Sequence, residues 1–123
     1  MQSLRRGSIF FAYLNDVFYA DLRPVVGSEQ GGIRPVVIIQ NDIGNYYSDT
    51  TVVAIVTKAS HRKPDLPTHV FIKSRAGLEF DSVIMTEQIR TIDNIRLKSY
   101  VGNLDERELF LLDKAIKISL QIV

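Results

Sequence analysis

The sequence of 123 residues contains no cysteine and only two histidines, His61 and His69. Without cysteine the chain can form neither a disulfide nor a thiolate nucleophile, which is compatible with a reducing cytoplasm. A structural zinc site needs about four nitrogen or sulfur ligands, so two histidines argue against one. We therefore expect no structural zinc site.

Long apolar runs and an excess of one charge are also missing. No run approaches the roughly 20 apolar residues that span a bilayer. The apolar run Ile9–Leu14 has only six residues, fewer than the roughly 7–15 of a signal peptide. Lysine and arginine total 15 against 14 acidic residues, so the formal net charge is +1, without the basic excess common in nucleic-acid-binding proteins. These absences predict a cytoplasmic protein without membrane contact, in which only a local basic patch could hold a polyanion.

The first two-thirds of the chain predicts short strands, because runs of β-branched and aromatic residues alternate with turn signals. Asn41-Asp42 and Gly44-Asn45 are typical of a turn, and Lys58–Pro67 of a polar loop. Such a pattern in a chain of this length indicates one domain, built as a small barrel or curled sheet. The predicted strands cover Ile9–Leu14, Val17–Leu22, Val36–Ile39, Thr51–Thr57, Val70–Lys73 and, as one or two strands, Ser82–Ile92.

The C-terminal segment predicts a helix that begins at Asp105. Glu108 stands three residues later, as a capping box requires, and Leu104 and Leu109 have the spacing of a hydrophobic staple. The apolar arc of this helix covers about 200°, wider than the roughly 100° that a surface helix needs. Two explanations remain open: the helix is deeply buried under loops, or it packs on its own core and on a partner.

The N-terminal residues 1–13 have two interpretations. The segments "RGSIFFAYL" and "NDVFYADL" are similar, so they could form the two strands of one hairpin with Asn15-Asp16 near its turn. Alternatively, residues 1–13 are an extension outside the core or a replacement for the first strand. If they are an extension, their removal should leave the activity of the protein intact.

A glycine-rich segment, Gly27–Pro35, leads into the apolar strand that starts at Val36. Its glycines permit positive φ angles, and Pro35 favours an extended Arg34 at the rim of the sheet. An arginine there could bind a phosphate with two parallel hydrogen bonds. The simpler alternative is a surface ion pair between Glu29 and Arg34, which would contribute little to stability.

Thr57 ends the second β-branched run of the chain. If that run pairs beside Val36–Ile39, Thr57 lies near Arg34, and the two side chains could act together on a phosphate. Otherwise Thr57 is an ordinary strand-end threonine that bonds to the backbone.

Four blocks of this sequence strongly resemble the MazF/PemK family of toxin endoribonucleases. They are "ADLRPVVGSEQGGIRPVVIIQND", "VVAIVT", "LPTHV" and "DSVIMTEQIRTID", and the resemblance extends from Asp16 to the C-terminus. It implies a small SH3-like β-barrel with a C-terminal helix, in a homodimer. The implied function is that of an mRNA interferase, a growth-inhibiting toxin that cleaves single-stranded RNA sequence-specifically without a metal. A cognate antitoxin would occupy the RNA groove, and any contact with operator DNA would come from that antitoxin.

The resemblance also assigns site residues. It implies that Arg34 and Thr57 are catalytic and that Glu29 is the glutamate of the active-site loop. In the implied reaction the substrate's own 2′-hydroxyl attacks the phosphorus, which gives a 2′,3′-cyclic phosphate and a 5′-hydroxyl. Arg34 would stabilise the developing charge, Thr57 would donate to a phosphate oxygen, and Glu29 is a candidate base. The implied RNA-binding residues are Ser28, Gln30, Thr68, His69, Glu87 and Gln88.

The match departs from the family pattern in two places. Asn15 stands where relatives have a basic residue before glycine, and Arg6-Gly7 comes eight residues too early. The loop between Thr57 and "LPTHV" is one residue longer than in relatives, which leaves the recognised RNA sequence open. Two alternative functions also remain: a gyrase-targeting toxin of the CcdB type on the same fold, and a non-catalytic RNA-binding module. The Arg34–Thr57 pair argues against the CcdB type, which lacks it.

Overall fold

The structure is a computed structural model that describes residues 5–6, 9–10, 14–24, 26, 32–61, 66–75 and 77–122. These ranges contain eight strands, two α-helices, α1 (Asp42–Tyr47) and α2 (Glu106–Leu120), and short 3-10 helices at Ala59–His61 and Asn94–Arg96. No helix in them is long and apolar enough to cross a membrane. The strands are β1 (Arg5–Arg6), β2 (Ile9–Phe10), β3 (Asp16–Asp21), β4 (Ile33–Ile38), β5 (Thr50–Lys58), β6 (His69–Ile72), β7 (Ser82–Asp93) and β8 (Leu97–Asn103).

Six of the strands form one antiparallel sheet in the order β6-β7-β5-β4-β3-β8. Its central strands, β4 and β5, are buried on both faces, which explains their continuous apolar runs. On one face Val36 and Ile55 belong to a cluster that also contains Phe18 and Met85. On the other face a second cluster joins the sheet to α2. The prediction of a mainly β fold with a C-terminal helix is confirmed.

The interpretation of the N-terminal segment as a hairpin with the following strand is wrong. β1 and β2 pair with each other in a separate two-stranded sheet. Meanwhile β3 pairs with β4 along one edge and with β8 along the other, so neither edge is available to β2. The backbone of β2 lies against the 3-10 helix Asn94–Arg96 instead.

The helix α1 and the strand β8 differ from what the sequence predicts. The expected turn at Asn41-Asp42 and Gly44-Asn45 is the helix α1, because the Asn41 side chain caps it by accepting a hydrogen bond from Gly44 N at 2.8 Å. The Asn45 side chain is buried and accepts from Thr51 Oγ1 at 2.7 Å. Strand β8 was not predicted: Leu97 is buried, but Lys98 and Tyr100 are exposed on this edge strand.

Helix α2 begins as predicted. Asp105 Oδ1 accepts from Glu108 N at 2.8 Å and Asp105 N donates to Glu108 Oε1 at 3.0 Å, which completes the capping box. The guanidinium of Arg75 also donates two hydrogen bonds to the Glu108 carboxylate. Glu108 therefore joins the start of α2 to the turn at residues 75–78.

The apolar arc of α2 is only partly covered. Leu112 and Ala115 are buried against the sheet, but 69% of Phe110 and 43% of Ile118 remain exposed. Deep burial of the whole helix under loops is therefore wrong for this chain on its own. The helix packs on its core with one side and leaves apolar residues on others.

Candidate active site

Arg34 and Thr57 lie side by side at the ends of the two central strands. Arg34 Nη1 donates to Thr57 Oγ1 over 3.4 Å. The geometry follows from the register: β4 and β5 pair Val36 with Ile55, and two residues further the same register places Arg34 opposite Thr57. Because alternate residues of a strand share a face, both side chains lie on the face of Val36 and Ile55. A hydroxyl that accepts from Arg34 can still donate its own hydrogen to a phosphate oxygen.

A groove of about 420 Å³ opens around this pair. The ladder between β4 and β5 ends at Val36, directly after Pro35, which has no N–H group to continue it. Beyond that point the two strands are not paired with each other, and Arg34 and Thr57 line the space together with Tyr19 and residues of neighbouring segments. Thr57 is 7% exposed and Arg34 is half-buried, so both are partly shielded from water.

A bulge in β7 forms a second polar region. The register between β5 and β7 shifts from the pair Ala54–Ile89 to the pair Ile55–Met85. The three residues Thr86–Gln88 therefore have no partners on β5 and leave the regular ladder. Bulges commonly redirect side chains in this way next to functional sites.

The bulge brings together residues that the family resemblance assigned to RNA binding. Thr68 Oγ1 donates to Glu87 Oε1 at 2.9 Å, and His69 Nε2 lies 2.9 Å from Glu87 Oε2. Thr86 Oγ1 fixes this arrangement by donating to the carbonyl of Thr68 at 2.7 Å. Gln88 follows in the same bulge and is half-buried. These four predicted residues thus lie in one place, at the start of β6 and on β7.

The charge of this cluster is set by Glu87. Partial burial acts to raise the pKa of its carboxyl group, but hydrogen bonds from His69, from its own backbone and from Thr68 outweigh burial and lower the pKa below its ordinary value of 4.5. Glu87 is therefore ionised at neutral pH and His69 donates to it through Nε2. His69 Nδ1 is buried and has no hydrogen-bond partner among the described residues. In the neutral ring that atom is an acceptor.

Three of the predicted residues, Ser28, Glu29 and Gln30, lie outside the described residues. The ends of their loop are described: Leu22 N donates to Gly32 O at 3.0 Å, beside Arg34. Gly32 has a φ angle of +77°, which favours glycine at this position.

Two arginines that the sequence did not single out hold the start of the same loop. Arg90 Nη1 donates to Leu22 O at 2.8 Å, and Arg96 Nη1 donates to Asp21 O at 2.9 Å and also to Arg23 O. Their partners are main-chain carbonyls 68 to 75 residues earlier in the chain, so no sequence pattern indicates them.

Within the residues that the structure describes, no group of three or more histidine, aspartate or glutamate side chains could hold a metal ion.

Comparison with known proteins decides the family. Residues 14–120 match the model of the "PemK-like, MazF-like toxin of type II toxin-antitoxin system". The chain belongs to this toxin family. It is 55% identical to Endoribonuclease EndoA of Bacillus subtilis over 109 residues, which cover 88% of this chain and 93% of that protein. It is 56% identical to Endoribonuclease MazF of Staphylococcus saprophyticus over 106 residues, which cover 85% of this chain and 88% of that protein.

Solved structures share the fold of this toxin. MazF from Deinococcus radiodurans superposes with a TM-score of 0.77 at 18% identity, over 91% of this chain and 98% of that one. A mycobacterial endoribonuclease in complex with its cognate antitoxin gives a TM-score of 0.75 at 19% identity, over 91% and 97%. These structures show that the chain has the fold of these toxins.

The groove of the toxin also contains residues that the sequence did not mark as site residues. Tyr19, Phe80 and Ser82 line it, together with Lys58, the first residue of the predicted polar loop. Tyr19 lies within a predicted strand and Phe80 shortly before another, and neither position indicates a functional role. Their position beside Arg34 depends on the pairing of β3, β5 and β7 with their neighbours, which sequence spacing does not reveal.

We predict that the Glu87 carboxylate contributes pH-dependent stability. Because its pKa is lowered in the folded protein, the contribution is complete above 4.5 and is lost as the pH falls below that value. Glu87→Gln should therefore lower the free energy of unfolding at pH 7, by less than about 1 kcal/mol because the side chain is over a third exposed. Urea denaturation of both proteins between pH 7 and pH 3 measures this difference. A difference that stays constant over that range would contradict the assignment.

Proposed function

We propose that this toxin cleaves single-stranded RNA by holding the scissile phosphate between Arg34 and Thr57. Its general activity is that of its family: it is a MazF-type endoribonuclease of a type II toxin–antitoxin system. The observation that supports the assignment of the site is the contact between Arg34 Nη1 and Thr57 Oγ1 over 3.4 Å, inside a groove of about 420 Å³.

In the proposed reaction the 2′-oxygen of the substrate attacks the adjacent phosphorus. A new bond forms from the 2′-oxygen to phosphorus and the bond from phosphorus to the 5′-oxygen breaks. The products are a 2′,3′-cyclic phosphate and a 5′-hydroxyl, so one proton leaves the 2′-hydroxyl and one reaches the 5′-oxygen. This chemistry consumes no cofactor.

Arg34 stabilises the charge that develops on the phosphate oxygens. A fixed donor of this kind contributes on the order of 2–4 kcal/mol to a transition state. The pKa of an arginine above about 12 makes it a poor proton carrier, so we assign charge stabilisation rather than proton transfer to Arg34. Thr57 donates its hydroxyl hydrogen to a phosphate oxygen. Glu29 is our candidate for the base because its loop begins and ends beside Arg34, at Leu22 and Gly32.

Recognition of the RNA sequence is assigned to two groups of residues. Ser28 and Gln30 belong to the loop that carries Glu29. Thr68, His69, Glu87 and Gln88 form the cluster at the bulge, and β6 lies two strands away from β5 in the sheet. At the usual strand spacing β6 is about 10 Å from β5. Glu87 and Gln88 lie on β7, directly beside β5, but at the level of Ala54 and Ile55 rather than of Thr57. These residues would therefore contact bases near the cut rather than the scissile phosphate itself.

The activity can be tested with purified protein and a long single-stranded RNA in EDTA. We expect defined fragments with 2′,3′-cyclic phosphate ends, because the reaction needs no metal. Arg34→Ala should reduce kcat/KM at least 100-fold, and Thr57→Val roughly 10- to 100-fold, which are the effects expected from losing a charged and a neutral donor in the transition state. Both variants should remain folded.

Other outcomes would lead to different conclusions. Equal cleavage by wild type and Arg34→Ala would contradict the assigned site. RNA that stays bound but uncut by the wild type would indicate a non-catalytic RNA-binding module instead.

We also propose that the sheet of the toxin closes into an SH3-like barrel and that a cognate antitoxin blocks the RNA groove.

The toxin is further proposed to form a homodimer in the cytoplasm, because a surface on this chain is suited to a second copy. A groove of about 360 Å³ runs between β6 and α2 and is lined by Pro67, Phe71, Leu111 and Ile118. Phe71 is 50% and Ile118 is 43% exposed, so the surface is apolar and open.

The dimer is tested with a matched pair of substitutions on α2. Ile118→Glu places a charge in the apolar groove and should convert a dimer into a monomer. Phe110→Glu changes a residue outside that groove that is 69% exposed, and it should stay dimeric. Size-exclusion chromatography with light scattering measures both masses. A monomeric wild type would contradict the dimer, and a dimeric Ile118→Glu variant would place the interface elsewhere.

A further inference from the structure

An exposed phenylalanine stands at the rim of the catalytic groove. Phe80 lines the same groove as Arg34 and Thr57, and 47% of its surface is exposed. Lys58, the residue directly after Thr57, is exposed and places its Nζ 4.0 Å from the centre of the Phe80 ring. The groove thus carries an aromatic ring and a cation within reach of the residues that hold the phosphate.

The main chain around Phe80 is held firmly. Ser82 Oγ donates to Phe80 O at 2.8 Å, and Ala59 N donates to Asp81 O at 2.9 Å. Asp81 Oδ1 in turn accepts from Ser74 N at 2.8 Å. Phe80 is therefore a half-exposed apolar side chain on a fixed backbone, next to Leu78, which is only 2% exposed and belongs to the core. An aromatic ring presented in this way adds little to the core but is already positioned for a flat ligand.

We propose that Phe80, with Lys58, forms a stacking platform for an unpaired nucleobase beside the scissile phosphate. This inference rests on the proposed function of the Arg34–Thr57 pair. Every base has a π-face, so proteins that bind single strands stack bases on aromatic side chains and add nearby cations. The base stacks on the part of the ring that Lys58 leaves exposed, and the Lys58 ammonium group interacts with the phosphate backbone.

Two features favour RNA over a protein partner at this position. The groove is continuous with the phosphate site, and its cations, Arg34 and Lys58, complement a nucleic-acid backbone. Its volume of about 420 Å³ is within the range of small-ligand pockets and accommodates a single nucleotide.

The experiment uses an RNA that binds but is not cut. The cleavage site of the wild type is first mapped on a long RNA in EDTA. A short RNA spanning that site is then made with a 2′-deoxy sugar at the attacking position, which removes the nucleophile. 2-Aminopurine replaces each base flanking the cut in turn, because its fluorescence is quenched when it stacks.

We expect one flanking position to be quenched by the wild type and not by Phe80→Ala. The Kd of Phe80→Ala should rise by roughly 5- to 150-fold, the effect of losing one stacked base. Phe80→Tyr keeps the ring and should retain quenching and affinity. Tyr47→Ala is the control: this tyrosine is 81% exposed but lies in α1, which joins the opposite ends of β4 and β5, so affinity should not change.

The outcomes separate this inference from the proposed function. Suppose that the wild type cuts RNA but Phe80→Ala binds it with unchanged affinity and quenching. The stacking platform is then contradicted while the nuclease assignment stands, and the exposed ring would instead suit a protein partner. Weaker binding by Phe80→Ala without loss of quenching at any position also overturns stacking. If the wild type does not cut RNA, both the proposed function and the stacking platform are contradicted.

Discussion

The antiparallel register of β4 and β5 determines the position of Arg34 and Thr57, the pair that we propose is catalytic. Because Val36 faces Ile55, Arg34 and Thr57 meet two residues later, where Pro35 ends the ladder and the groove opens. A slip of one residue would exchange the two faces of a strand, and Arg34 and Thr57 would then lie on opposite faces of the sheet. The same apolar residues that stabilise the fold therefore align the arginine with the threonine.

Helix α2 links the core to the cluster at the bulge, which we propose binds RNA. Its Ser119 hydroxyl donates to Thr86 O at 2.9 Å, and Thr86 lies at the start of the bulge that presents Glu87. On the adjacent side the helix borders the apolar groove along β6, whose lining includes His69. A partner bound in that groove would thus contact the same elements that hold the cluster proposed to bind RNA, so we expect assembly and RNA binding to be coupled.

The sequence predicts the features that local patterns determine. The two β-branched strands and the capping box at Asp105 are where the pattern places them. The family resemblance assigns Arg34 and Thr57 to one site, and the structure brings these two side chains into contact. Helix α1 was missed because its cap, Asn41, is also a common turn residue, and β8 was missed because an edge strand needs few apolar residues. The bulge at Thr86–Gln88 depends on long-range pairing, which no periodicity encodes.

The net charge of +1 agrees with a nuclease whose cations act locally.

The central claim is that Arg34 and Thr57 act on one phosphate, and a double-mutant cycle tests it most directly. The kcat/KM of RNA cleavage is measured for the wild type, Arg34→Ala, Thr57→Val and the double variant. We predict a coupling energy of at least about 1 kcal/mol, so that the double variant loses less than the two single losses combined. Losses that add within about 0.5 kcal/mol would contradict the account.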